Sequence, residues 1–156
     1  MASKSNLIRD LAEERGAVRP RGERKKRGSS EDDLQLVIIT HIRDKYPDAL
    51  FQCDMSGVML SIGQAVKQKR LGMTRGWPDL KIMEPRGGHH GLFIELKRAG
   101  TKIYLRDGKT MVANEHFREQ EAVMQRLRDR GYAATFAVGM ADAVGVIDRY
   151  MALPES

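Results

Sequence analysis

Residues 91–97, Gly91-Leu-Phe-Ile-Glu-Leu-Lys97, constrain this chain more than any other stretch. The run is apolar, short and opened by glycine, which reads as a β-strand extending to Arg98. Alternate side chains of a strand share a face, so Leu92, Ile94 and Leu96 form a core face. Phe93, Glu95 and Lys97 form the other. A carboxylate beside an ammonium in an apolar strand is unusual, because a buried unpaired charge is expensive. Such groups are paired, hydrogen-bonded or bound to metal. Glu95 and Lys97 thus point together into whatever cleft their face lines.

A second string, Gly76-Trp-Pro-Asp-Leu80, lies upstream. Pro78 has no amide proton for a β-ladder and belongs at a strand start or edge. Leu80-Lys-Ile-Met83 then reads as a strand, joined to residues 91–98 by the loop Glu84–His90. If the two strands pair as a hairpin, Asp79 and Glu95 converge. Two carboxylates and a backbone carbonyl suit Mg2+, a hard cation that keeps several waters. Lys97 would orient or help deprotonate a water, or stabilise a pentacovalent phosphate. The same spacing also suits a surface ion pair at a hairpin end, of a kind that is common and worth little. Spacing alone does not choose between them.

Two helices add polar residues to this picture. Ser29-Ser30-Glu31-Asp32-Asp33 reads as a helix start with Ser30 as cap, and the helix runs to about Lys45 before Pro47. Its apolar stripe is Leu34, Val37, Ile38 and Ile42. Glu31 and Gln35 share a face with Ile38 and Ile42, although an acid in a first turn is also favoured by the helix dipole alone. Asn114 caps a helix to about Arg130, stopped by Gly131. There Phe117, Gln120, Met124 and Leu127 share one face, which sets Gln120 on an apolar stripe.

The remaining elements follow from punctuation. Residues 5–15 form a weak helix, Leu50–Cys53 a short strand, Ser56-Gly57 a turn, and residues 60–71 a helix ended at Gly72. Lys102–Arg106 and Lys109–Val112 flank Asp107-Gly108, a signal for a hairpin with a type I′ turn. Ala133–Val138 is a strand. Ala141–Met151 is a helix with Val144, Ile147 and Met151 inward. The expected fold class is α/β, a mixed β-sheet flanked by helices. Residues 30–153 form the folded domain behind a basic tail, 1–29.

Charge is partitioned between these parts. The tail and Ser30 hold nine Lys/Arg and four Asp/Glu; the other residues hold eighteen and seventeen. Most of the net +6 therefore sits in residues 1–30. Such a segment suits a polyanion through counterion release, or simply keeps the chain soluble. No apolar stretch approaches the roughly 18 residues of a membrane span, and no secretory leader opens the chain. The single cysteine, Cys53, excludes an internal disulfide framework and suits a small buried hydrophobe in a reducing compartment. The expected location is cytoplasmic.

Glu31-Asp-Asp-Leu-Gln35, Gly76-Trp-Pro-Asp-Leu80, Gly91–Lys97 and Gln120, in this order, resemble the VRR-Nuc (virus-type replication-repair nuclease) family of the PD-(D/E)XK superfamily. Gly131-Tyr132 fits as well, and the resemblance covers residues 31–150. It implies a restriction-endonuclease-like core and phosphodiester cleavage dependent on Mg2+ or Mn2+. Glu31, Asp79 and Glu95 match the family's acidic positions, Lys97 its lysine, Gln120 its glutamine, and the Leu96 carbonyl a metal-binding backbone oxygen. Trp77 departs from the smaller apolar residue more usual there, and the 101–113 hairpin is a further departure. Free-standing members of this kind resemble phage or bacterial proteins acting on DNA junctions, often as homodimers.

The expected function is thus a Mg2+- or Mn2+-dependent nuclease on DNA, structured or branched. The alternative is a non-catalytic nucleic-acid-binding module using the tail and the hairpin. Lys67, Lys69, Arg70 and Arg75 lead into the Pro-Asp string and can hold a phosphate backbone, or form a solvated helix face. Lys102, Arg106 and Lys109 can make a wing against nucleic acid, or decorate an edge. Trp77 can stack on a base or pack at a rim. His89-His90 has no Cys or His at ligand spacing, which disfavours zinc.

Overall fold

The computed structural model describes residues 31–54, 61–72 and 76–156. The basic tail, the 5–15 helix, the Ser30 cap, the Ser56-Gly57 turn and Arg75 lie outside the described residues, as do the side chains of Glu31 and Lys69. The described elements, in order, are α1 (Glu31–Lys45), β1 (Phe51–Cys53), α2 (Ile62–Arg70), β2 (Leu80–Ile82), β3 (Leu92–Lys97), α3 (Glu115–Arg128), β4 (Ala133–Val138) and α4 (Gly139–Met151).

The strands form one mixed sheet in the order β1-β2-β3-β4. β1–β2 and β2–β3 are antiparallel, and β3–β4 is parallel. Parallel neighbours need a crossover, and α3 supplies it. The sheet separates two apolar layers. On one side Leu92, Ile94 and Leu96 of β3 meet Leu34, Ile38 and Ile42 of α1 and Ala143, Val146, Ile147 and Tyr150 of α4. On the other, Phe93 of β3 and Ala134 and Phe136 of β4 meet Val123, Met124 and Leu127 of α3, with Ile103. Every residue of β3 is buried, so its charged face is roofed by α3 rather than open. Each fully buried Leu or Ile in these layers stabilises the fold by about 1.5–3 kcal/mol.

Helical periodicity refines two expected stripes. Val37 is 44% exposed, whereas Gln35 is buried. Each residue advances about 100° around a helix, so a stripe centred on Leu34, Ile38 and Ile42 turns Val37 toward solvent and Gln35 inward. On α4 the buried residues are Gly139, Ala143, Val146, Ile147 and Tyr150, leaving Val144 and Met151 only partly buried. Asp148 joins the two helices: His41 Nε2, Lys45 Nζ and Tyr46 OH each lie 2.8 Å from one of its carboxylate oxygens.

The second hairpin takes a different form from the one expected. Tyr104 and Met111 make an isolated bridge, and no strand forms over 101–113. Asp107 does not have the positive φ that a type I′ turn demands; only Gly108 does, at 66°. The Asp107 carboxylate instead accepts from Lys109 N (2.9 Å), Thr110 N (2.9 Å) and the Thr110 hydroxyl. This local network competes with the ladder. It also holds the Asp107 carboxyl down at a pKa of about 2, the Thr110 hydroxyl contributing most. The two-residue turn with positive φ at both centres is Gly87-Gly88, in the β2–β3 connection. Arg86 N and His89 N bond each other's carbonyls across it, at 3.1 and 2.9 Å.

Candidate active site

The sheet register builds the site. Leu80 pairs with Ile94, which carries Asp79, one residue before β2, to the level of Glu95 on β3. Asp79 Oδ2 accepts the Leu96 backbone N–H at 2.9 Å, fixing the carboxylate against the strand. Gly76 sets the approach from the other side. Its φ is 84°, and a Cβ there would stand 3.0 Å from Glu119 O and 3.2 Å from Gln120 N. Only glycine lets the Gly76–Asp79 segment lie this close to the backbone of α3. The same contact brings Asp79 toward the helix that carries Gln120.

Four polar side chains meet under α3, all nearly dry: Asp79 5% exposed, Glu95 3%, Lys97 9% and Gln120 4%. Glu95 Oε1 accepts from Lys97 Nζ at 2.8 Å and from Gln120 Nε2 at 2.5 Å. Lys97 Nζ also lies 5.4 Å from the centre of the Phe117 ring, a cation–π distance. Glu95 Oε2 and Gln120 Oε1 are buried with no hydrogen-bond partner. Turning the Gln120 amide over would set its oxygen against a carboxylate oxygen, so the orphaned acceptor is Gln120 Oε1.

Electrostatics repeat this imbalance. Burial, followed by the neighbouring Asp79 charge, pushes the Glu95 carboxyl up to about 7, against the opposing pull of Lys97. With both carboxyls ionised, two carboxylates face one ammonium, and Glu95 Oε2 and Gln120 Oε1 lack donors. Buried acceptors are normally satisfied. The donor set present, carboxylate and amide oxygens, is the kind that hard divalent cations take.

Among the described residues no three His, Cys, Asp or Glu gather into a metal cluster. The expected third acid, Glu31, opens α1, and its side chain lies outside the described residues. Gln35, one turn further along α1, is buried at 8% exposure. Leu96 stands beside Asp79 through its N–H, with its side chain in the α1–α4 core.

The basic residues expected to meet nucleic acid are on the surface rather than in the buried cluster. Lys67 and Arg70 on α2 are exposed, as are Lys102, Arg106 and Lys109 on the 101–113 segment. His89 closes the Gly87-Gly88 turn, and the His90 ring packs edge-on to Tyr132. The packing role of Gly76 is not among the sequence expectations, and neither are Arg126 and Arg130, which flank Trp77. A glycine ahead of Trp-Pro-Asp was the available signal for the first. The arginines look like solvated helix positions until α3 is set against the motif.

No protein-family model and no curated protein matches the chain. A solved structure of a VRR_NUC domain protein does, at a TM-score of 0.61 and 25% sequence identity, covering 83% of this chain and 93% of that one. The fold is that of a VRR-Nuc domain. That likeness supports a nuclease-type domain, and the mixed sheet with flanking helices is the α/β class that the order of elements predicts. In this VRR-Nuc fold Asp79, Glu95, Lys97 and Gln120 occupy one buried cluster between the sheet and α3. Among the described residues no helix is long and apolar enough to cross a membrane.

Proposed function

We propose that this VRR-Nuc domain hydrolyses phosphodiester bonds in DNA, using Mg2+ or Mn2+ held by Asp79, Glu95 and Glu31 with the Leu96 carbonyl. The observation that carries the reading is the pair of orphaned buried acceptors, Glu95 Oε2 and Gln120 Oε1, beside a second carboxylate. A divalent ion would satisfy them, offset the surplus negative charge, and supply Lewis-acid stabilisation of the phosphate together with a more acidic water.

The chain's own residues have distinct parts. Asp79 is locked by Leu96 N–H, so its free lone pairs are pre-aimed at little entropic cost. Lys97 is anchored on Glu95 Oε1, and an ammonium has three N–H donors. The remaining two can orient the attacking water and meet charge developing on the phosphate. Gln120 holds Glu95 in place through Nε2 and offers Oε1 to metal or water. Lys67, Lys69, Arg70 and Arg75 before the motif, and Lys102, Arg106 and Lys109 beyond it, contact phosphates on this reading.

The test is a panel of end-labelled DNAs (single strand, duplex, nick, flap and four-way junction) incubated with Mg2+, with Mn2+ and with EDTA. Cleavage with either metal and none with EDTA supports the reading, and the preferred member of the panel names the substrate structure. Binding to every member with no cleavage under either metal replaces it with a non-catalytic binding module. The homodimer that the resemblance implies is read in parallel by light scattering.

A further inference from the structure

Trp77 stands two residues before Asp79 and keeps 45% of its surface exposed. Its ring is nonetheless held. Phe93 packs against it at 6.1 Å between ring centres, and Lys81 Nζ stands 5.7 Å from the ring centre. Lys81 is in turn fixed by Asp54 Oδ2 at 2.7 Å. Ring, Phe93 and Lys81 thus share a face of the sheet with Glu95 and Lys97.

The exposed part of the ring walls an open pocket against α3, lined by Trp77, Val123, Arg126, Leu127 and Arg130. Val123 and Leu127 make an apolar floor, and Arg126 and Arg130 are exposed at its rim. Among the described residues neither arginine has a carboxylate partner; Arg130 donates only to Arg126 O, at 2.8 Å. Arg128, between them, is by contrast engaged with Glu121 and with Ala134 O. A rigid half-exposed indole over an aliphatic floor takes a flat apolar ring. Two unpaired guanidiniums at the edge take an anion. A nucleotide is the ligand that presents both, and base–aromatic stacking tolerates any base.

We propose that this pocket is a stacking subsite for one unpaired nucleotide of the DNA strand, with its base on Trp77 and its phosphate at Arg126 and Arg130. The proposal rests on the nuclease reading for the identity of the polymer. It adds that a nucleotide near the scissile phosphate is unstacked, because both faces of a base inside a duplex are covered by its neighbours.

Trp77 is the chain's only tryptophan, so its fluorescence reports on this pocket directly. The full chain is titrated in EDTA with a short oligothymidylate, with an abasic strand of the same length, and with a duplex. Binding is followed separately by polarisation of the labelled DNA. Oligothymidylate is expected to quench Trp77, and the abasic strand to bind without quenching. Trp77→Leu is expected to weaken oligothymidylate roughly ten-fold, with little effect on the abasic strand, and Trp77→Phe to restore much of the loss. Arg126→Gln with Arg130→Gln should weaken both strands. Equal quenching by the abasic strand, or an unchanged affinity ratio in Trp77→Leu, overturns the subsite. If Trp77→Leu does not fold, Trp77→Phe and the wild-type abasic comparison decide. Metal-dependent cleavage without quenching sinks the subsite and leaves the nuclease standing; quenching without cleavage does the reverse.

Discussion

Gln120→Leu separates a metal-site role for Gln120 from a merely structural one. In the metal-free protein two effects oppose each other. The variant loses a buried hydrogen bond to a carboxylate, worth about 1.5–3 kcal/mol. It also removes Gln120 Oε1, a buried acceptor without a donor, whose burial costs about 1–3 kcal/mol. Leucine is similar in volume, and Val123, Met124 and Leu127 already make that helix face apolar. Glu95 Oε1 keeps Lys97. The net change in stability should therefore fall within about 1 kcal/mol, read by urea unfolding in EDTA. With Mn2+ present the cancellation ends, because the variant then lacks both a holder for Glu95 and an oxygen for metal or water. Loss of such a supporting contact weakens metal binding about 10–100-fold. A ten-fold loss at saturating metal removes about 1.4 kcal/mol of metal-induced stabilisation, or roughly 3–5 °C of thermal shift. The reasoning is refuted if Gln120→Leu destabilises the metal-free protein by several kcal/mol while its Mn2+-induced shift equals that of wild type.

Three further outcomes follow from the packing. Lys97→Met should cost up to about 3 kcal/mol in metal-free urea unfolding where Glu95 stays ionised without its counter-ion, and less where Glu95 takes up a proton, and should abolish cleavage even where the fold survives. Gly76→Ala should destabilise by at least about 1–2 kcal/mol from the positive φ alone; with a Cβ against Glu119 O, cleavage should fall further than stability does. Tyr150 is fully buried and donates to Glu84 O at 2.7 Å, and burial lifts its phenol to about 12. Its folded pKa exceeds the unfolded value near 10. The stabilisation is therefore complete below pH 10 and lost as pH rises toward 12, which Tyr150→Phe should abolish in pH-dependent unfolding.

Much of the fold was legible because its elements carry strong local signals. The period-two alternation of Leu92–Lys97 gave both faces of β3, and the 3.6 period gave Gln120 its inward position. What alternation could not give was the roof. Burial of both faces of β3 depends on α3 crossing back over the sheet, a long-range fact. The second hairpin misled because Asp-Gly is a turn signal in two senses. It suits a type I′ turn, and it equally suits an Asp side chain that takes its own downstream amides, as Asp107 does. Gly87-Gly88 carried the same signal inside a loop that looked merely irregular. Strand alternation and helical period are enough to turn Glu95, Lys97 and Gln120 toward one another. They do not give the orphaned oxygens or the Gly76 contact, since both depend on atomic placement rather than residue type. Alanine at Asp79 would be a blunt substitution, because it would strand the Leu96 N–H.

Asp79→Asn avoids that fault, since an amide oxygen can still accept from Leu96 N–H while the negative charge is gone. The decisive measurement is the cleavage rate of this variant beside wild type, on the same DNA with saturating Mn2+, once urea unfolding in EDTA has shown the two within about 1 kcal/mol. If Asp79 carries metal-dependent hydrolysis, the variant should be about 100-fold slower or more, while DNA binding in EDTA stays comparable. Cleavage by Asp79→Asn at the wild-type rate would contradict the account.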